Sequence, residues 1–247
     1  MTSRRIMGQR WWRKRFVQAP IFAGALLGLS TCACAANSHP QKTIVVGFVG
    51  GFVRDNDAKH AEVLFARQLR ARYASAVDVQ VFGNHARDKA LRHVLNLLDT
   101  NGDGKLTANE KEQARIIIFG HSWGGSATVV LARELGQRQI PVLLTIQVDT
   151  IGKPGDKSVT IPPNVAKAVN FYQANGLLHG RPDIFAMDPS RTDILGNFEM
   201  SYKDHPIRCD QFPWYARLFT KPHIEIENDP RVWAQAASLI DREVAAL

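Results

Sequence analysis

A run of β-branched residues leading straight into a serine between two glycines constrains this 247-residue chain most. Arg115-Ile116-Ile117-Ile118-Phe119 reads as a short buried strand. Gly120-His121-Ser122-Trp123-Gly124 follows at once, and Gly125 to Leu135, rich in Ala, Val and Leu, reads as a helix. A strand that becomes a helix within five residues must bend sharply. The glycines permit backbone angles and close packing that a β-carbon would obstruct. The Ser122 hydroxyl is then lifted above the sheet, with a helix N-terminus behind it.

The remainder of the chain repeats the strand–helix alternation. Lys42 to Val49 and Val77 to Phe82 are strand-like, and Ile140 to Val148 is a long apolar run bounded by Asp149. Ala58 to Tyr73 places Phe65, Leu69 and Tyr73 on one helical face. Leu91, Val94, Leu95 and Leu98 recur at helical spacing between Asp88 and Leu98. Asn164 to Gln173 is a helix candidate, and Asp183 to Tyr202 holds one or two strands. Asp229-Pro230 starts a last helix, to about Val244, with an N-cap followed by proline at the first helical position. The pattern predicts an α/β fold, a mostly parallel sheet with helices on both faces and little or no cap domain.

Residues 1–36 differ from the rest and read as a signal peptide or N-terminal anchor, with 37–247 as a single domain. Arg4, Arg5, Arg10, Arg13, Lys14 and Arg15 are followed by an apolar run from Ala19 to Leu29, then small residues with an Ala33-Cys34-Ala35 cleavage site. The apolar run is shorter than the ~20 residues that span a bilayer, which favours cleavage and export to the periplasm or medium over anchoring. With 31 basic and 23 acidic residues the chain carries +8. The leader holds six of those bases and no acid, so the remainder is near neutral and offers no nucleic-acid surface. Cys32 and Cys34 leave with the leader. Cys209 is then alone, without an internal disulfide, and reads as a buried small side chain.

The strand, the G-x-S-x-G turn and the helix resemble the nucleophile elbow of serine hydrolases in the α/β-hydrolase superfamily. The resemblance implies a triad in the chain order serine, acid, histidine, acting on a small-molecule ester or lipid through an acyl-enzyme on Ser122. Asp149, at the end of a convincing strand, is the preferred acid, and Asp188, after Ile184-Phe185-Ala186-Met187, is its rival. His223 lies in the last loop before the final helix and is preferred as base over His205 and His179. The oxyanion donors implied are the N–H of Trp123 and, from Gly47-Phe48-Val49-Gly50-Gly51-Phe52, that of Phe52 or a neighbour. His121 is expected to point away from Ser122 as local packing. Trp123, Phe48, Phe52 and Trp214 are candidates for an apolar acyl pocket. The same motif serves amide or thioester hydrolysis, and a non-catalytic, calcium-stabilised binding protein on this scaffold is the alternative outside enzymes.

A second motif precedes the serine strand. Asp99-Thr100-Asn101-Gly102-Asp103-Gly104-Lys105-Leu106-Thr107-Ala108-Asn109-Glu110 resembles an EF-hand loop. The resemblance implies a structural Ca2+ held by Asp99, Asn101, Asp103, the Lys105 carbonyl, Thr107 and Glu110. The exiting helix is very short and no second such loop is present, so a brace fits better than a switch.

Overall fold

The computed structural model describes residues 42–152, 155 and 157–246. The expected leader therefore lies outside the described residues. Strands and helices alternate: β1 (Thr43–Val49), α1 (Ala61–Tyr73), β2 (Val77–Gly83), α2 (Arg87–Leu98), α3 (Ala108–Glu112), β3 (Ile116–His121), α4 (Trp123–Gln137) and β4 (Val142–Val148). Then come β5 (Thr160–Ile161), β6 (Val165–Tyr172), β7 (Phe185–Ala186), β8 (Asp193–Glu199), α5 (Trp214–Glu227) and α6 (Pro230–Ala245). Six strands pair in the order β2-β1-β3-β4-β6-β8, every pair parallel; β5 and β7 form a separate small parallel pair. This is an α/β sheet with helices on both faces.

Strand alternation explains why both faces are covered. Val45 and Val49 of β1, with Ile117 and Phe119 of β3, join an apolar cluster with Phe65 and Leu69 of α1 and Trp233 and Ile240 of α6. Their neighbours Ile44, Val46, Phe48, Ile116 and Ile118 join the opposite cluster, with Val94 and Leu98 of α2 and Leu131 and Leu135 of α4. A strand buried on both sides reads as a continuous apolar run, as β3 does.

Two expectations need correction. The stretch from Asn164 to Gln173 holds strand β6 (Val165–Tyr172), between β4 and β8, and not a helix. Val165, Ala168, Val169 and Tyr172 happen to fall at helical spacing, and a short buried apolar run cannot be told from a buried helix by period alone. The second correction concerns His223, which lies within helix α5 and not in a loop. Thr220 is non-helical (φ −128°, ψ 23°), so the helix breaks and restarts just before Pro222, where proline is tolerated in a first turn. No helix among the described residues is long and apolar enough to cross a membrane.

Candidate active site

Ser122 adopts φ 57° and ψ −125°, a conformation that costs a non-glycine residue about 1–3 kcal/mol. The surroundings hold it there. Its N–H donates to the Val148 carbonyl at 2.9 Å, and its own carbonyl accepts from Gly125 at 3.1 Å and Ile151 at 3.2 Å. A β-carbon on Gly120 would collide with the Gly124 backbone, and one on Gly124 with the Phe48 carbonyl. The flanking glycines are therefore required by close approach of main chains. The Ser122 side chain does not cap α4, which begins at the next residue.

Asp149 directly follows β4, the neighbour of β3, and is fully buried. Its Oδ1 accepts from Gly180 N–H at 2.6 Å and Gln173 N–H at 3.2 Å. Its Oδ2 accepts from the Gln173 side-chain amide at 2.9 Å and from His223 Nδ1 at 2.6 Å. A carboxylate acceptor fixes the proton on Nδ1 of the neutral ring and leaves the Nε2 lone pair available. Asp188 is elsewhere, in a turn where its carboxylate accepts from the Ser190 N–H and hydroxyl, and His205 and His179 are exposed. Gln173 and Gly180 were not anticipated. Their roles depend on a loop folding back onto Asp149, which no local pattern signals.

Ser122 and His223 line one cleft of about 370 Å³, with Val53, Ile151, Leu178 and Phe212 as apolar walls. A roomier groove of about 900 Å³ lies by the starts of β4 and β6, among Pro141, Pro162, Asn164 and Arg191. In parallel α/β sheets ligands bind beyond the carboxyl ends of the strands, where Ser122 and Asp149 stand, and the roomier groove is at the other end. The Gly50–Val53 turn approaches Ser122 closely: a β-carbon on Gly50 would lie 3.0 Å from Ser122 Cβ. Phe52 occupies that turn with its side chain 93% exposed, its ring edge-on to Trp123 at 5.4 Å. The expected acyl pocket is corrected in part. Trp123 lines the cleft, whereas Phe48 is buried in the core on the α2/α4 face and Trp214 is exposed.

His121, expected as local packing, takes part in a wider charge network. Its ring packs against that of His223, centroids 4.5 Å apart and planes at 32°, and it lines the same cleft as Ser122. His121 Nδ1 lies 3.6 Å from Glu62 Oε1 and 3.8 Å from Glu227 Oε2. His60 Nδ1 bonds Glu227 Oε1 at 2.7 Å. Burial opposes a charge on His121, but the Glu62 contact and the Glu227 and Asp149 charges prevail and push it up to about 9. His60 is likewise raised, burial being outweighed by Glu227. His223 is lowered, by burial first and then by the His121 charge, against the pull of Asp149. Burial would raise Glu227, yet His60 and His121 hold its carboxyl below the ordinary range. The signal was present: His121 shares strand parity with Ile117 and Phe119, which face α1 and α6.

Donor atoms of His60, Glu62 and Glu227 lie within 4.8 Å of one another. The direct His60–Glu227 bond and the facing His121 offset the charge of these carboxylates. The 99–110 loop is different. Its donors are all oxygens, which suits a hard cation such as calcium. Asp99 accepts from the Asp103 and Gly104 N–H groups at 3.2 and 2.8 Å, and Asp103 from Lys105 N–H at 2.8 Å. Gly102 and Gly104 take φ of 70° and 79° to make the turns. Glu110 closes the loop: its carboxylate accepts from the N–H and hydroxyl of Thr107 and of Thr100, which hold it down at about 2. Thr107 and Glu110 form a reciprocal capping box at the start of α3.

No family model and no curated protein matches the chain. Solved structures are similar to it. A dienelactone hydrolase from Anabaena variabilis matches with 11% identity over 84% of this chain and 88% of that chain, at a TM-score of 0.39. A dienelactone hydrolase-like promiscuous phosphotriesterase from metagenomic libraries matches with 16% identity over 84% and 87%, at 0.39. A putative hydrolase of the α/β superfamily from Xanthomonas campestris pv. campestris matches with 13% identity over 80% and 99%, at 0.34.

Proposed function

We propose that this chain is a serine hydrolase that cleaves carboxylic esters through an acyl-enzyme on Ser122. The observation that carries this reading is the 2.6 Å bond from His223 Nδ1 to buried Asp149, in a cleft His223 shares with a serine at a strained strand–helix turn. A serine hydroxyl is a weak nucleophile and needs a base oriented by a third group. In the proposed cycle His223 Nε2 takes the Ser122 proton as Oγ attacks the ester carbonyl. Asp149 keeps the ring oriented and stabilises the imidazolium that forms. The N–H groups of Trp123 and Phe52 hold the oxyanion. The imidazolium then gives its proton to the departing alcohol, and water repeats the sequence to release the acid.

The apolar walls of the cleft support a small ester or lipid with an apolar acyl chain as substrate, and no nucleic-acid partner. The order of the leader (basic, apolar, small) supports an exported protein, with membrane contact only through an uncleaved N-terminal segment. The oxygen donors Asp99, Asn101, Asp103, Lys105 carbonyl, Thr107 and Glu110 support a structural calcium ahead of β3, with no part in the chemistry.

A fluorophosphonate probe tests the central reading, because only an activated serine labels quickly. Rapid labelling of the wild type, its loss in Ser122→Ala and loss of ester turnover in the same folded variant are expected. Near wild-type turnover in Ser122→Ala would end the proposal.

A further inference from the structure

Glu62 is fully buried and Glu227 is 3% exposed. Two carboxylates removed from water cannot remain charged unless cations offset them. His60 bonds Glu227 directly, whereas Glu62 has its ion contact with His121. Glu62 also accepts the Gly50 N–H at 3.3 Å, through the oxygen that faces His121. Separations of 3.6 and 3.8 Å from His121 Nδ1 are too long for hydrogen bonds but short enough for strong attraction in a dry site. His121 Nε2 and Glu62 Oε2 make no hydrogen bond among the described residues, so the contact between the two side chains runs through Nδ1 and Oε1.

We propose that His121 is a positioning residue: a buried cation, held between Glu62 and Glu227 and stacked on His223, that keeps the base of the reaction neutral into the acid range. The inference rests on the reading of His223 as that base. The groups facing His121 come from three sides: Glu62 from α1, Glu227 and His223 from α5, and Asp149 from the end of β4. Those facing His223 are Asp149, His121 and, further off, Glu62. Asp149 favours a proton on His223, and burial and the neighbouring cation oppose it. A second positive charge 4.5 Å from the first, ring to ring, is the disfavoured state. The lone pair on Nε2 then persists below the pH at which an ordinary histidine protonates. Once His223 has taken the serine proton, the same repulsion makes it a stronger acid toward the leaving alcohol.

The test is an NMR titration of isotope-labelled histidines in the intact protein, beside the pH profile of kcat/KM on p-nitrophenyl acetate. In the wild type His121 is expected to be protonated at about pH 7.5 and His223 to titrate below its ordinary value of ~6.5. In His121→Gln the His223 titration should rise by about one unit, a tenfold gain in proton affinity, and the acid limb of kcat/KM should move with it. The Glu62→Gln/His121→Gln double variant removes the charge together with its partner. It covers the case in which the single variant does not fold, and should shift in the same direction. A neutral His121 in the wild type overturns the proposal without any variant. So does a His223 titration in either variant that moves by less than about 0.3 unit or falls. Absent ester turnover with an intact His121–His223 coupling in the NMR data strikes the hydrolase reading instead.

Discussion

Gln173 donates its side-chain amide to Asp149 Oδ2, the same oxygen that receives His223 Nδ1. The amide also reaches the Leu178 carbonyl at 2.9 Å, and its oxygen accepts the Asn175 N–H at 2.8 Å. One buried side chain thus aims the carboxylate and ties down the segment that brings Leu178 to the cleft. Gln173→Leu keeps the bulk and removes these bonds. A misaimed base lowers kcat by about 10- to 100-fold, with a smaller change in KM. Steady-state kinetics on a short-chain ester check this, and an unchanged kcat would show that Gln173 only packs.

Gly180 N–H donates to Asp149 Oδ1 at 2.6 Å, as short as the bond from His223, and the glycine lies against that residue. A β-carbon there would fall 2.5 Å from Asp149 Oδ1 and 2.6 Å from its backbone. Gly180→Ala should therefore displace the acid, costing about 1–3 kcal/mol of stability as overpacking does. Slower probe labelling of Ser122 should accompany the loss. Equal denaturation midpoints for variant and wild type would contradict the close approach.

The β3–Ser122–α4 unit was legible because every cue for it is local: a β-branched run, two glycines and an apolar helix. β1, β2, β4 and α6 were legible for the same reason. β6 was misread because its apolar residues satisfy both periods at once. α5 was not read because Thr220 and Pro222 interrupt its pattern. At the site, Ser122 and Asp149 each border a recognisable element, whereas His223 lies inside the unread helix α5 and stood out only as a histidine late in the chain. Gln173, Gly180, Glu62 and Glu227 acquire their roles from contacts across 24 to 167 positions in the chain. Glu62 did leave a trace, a charge among the apolar residues Ala61, Val63 and Phe65 of α1.

A calcium ion held by the 99–110 loop should raise the melting temperature. An extracellular-type affinity near 10⁻⁴ to 10⁻³ M and about 1 mM calcium give about 0.4–1.4 kcal/mol, or about 1–6 °C for a chain of this size. Asp103→Ala should abolish the difference between calcium and chelator. Glu110→Gln should also lower the melting temperature in chelator, because the capping box and the Thr100 bonds are weakened. Identical melting of the wild type in calcium and in chelator would remove the ion from the fold.

Stability should fall on the alkaline side because folding raises the proton affinity of His121 from 6.5 to about 9. A group raised on folding contributes fully below its unfolded value and loses that contribution as pH climbs through the folded one. Each unit of the rise is worth about 1.4 kcal/mol, and His60, raised as well, acts in the same direction. His223, lowered on folding, acts on the other side: it favours the folded chain while neutral, and that advantage shrinks as pH drops below 6.5. The urea midpoint should therefore decline between about pH 6.5 and 9. The decline should be shallower in Glu62→Gln, where His121 loses the partner that holds its proton. A midpoint that stays level or rises through that window in the wild type would mean that His121 is not charged in the folded protein.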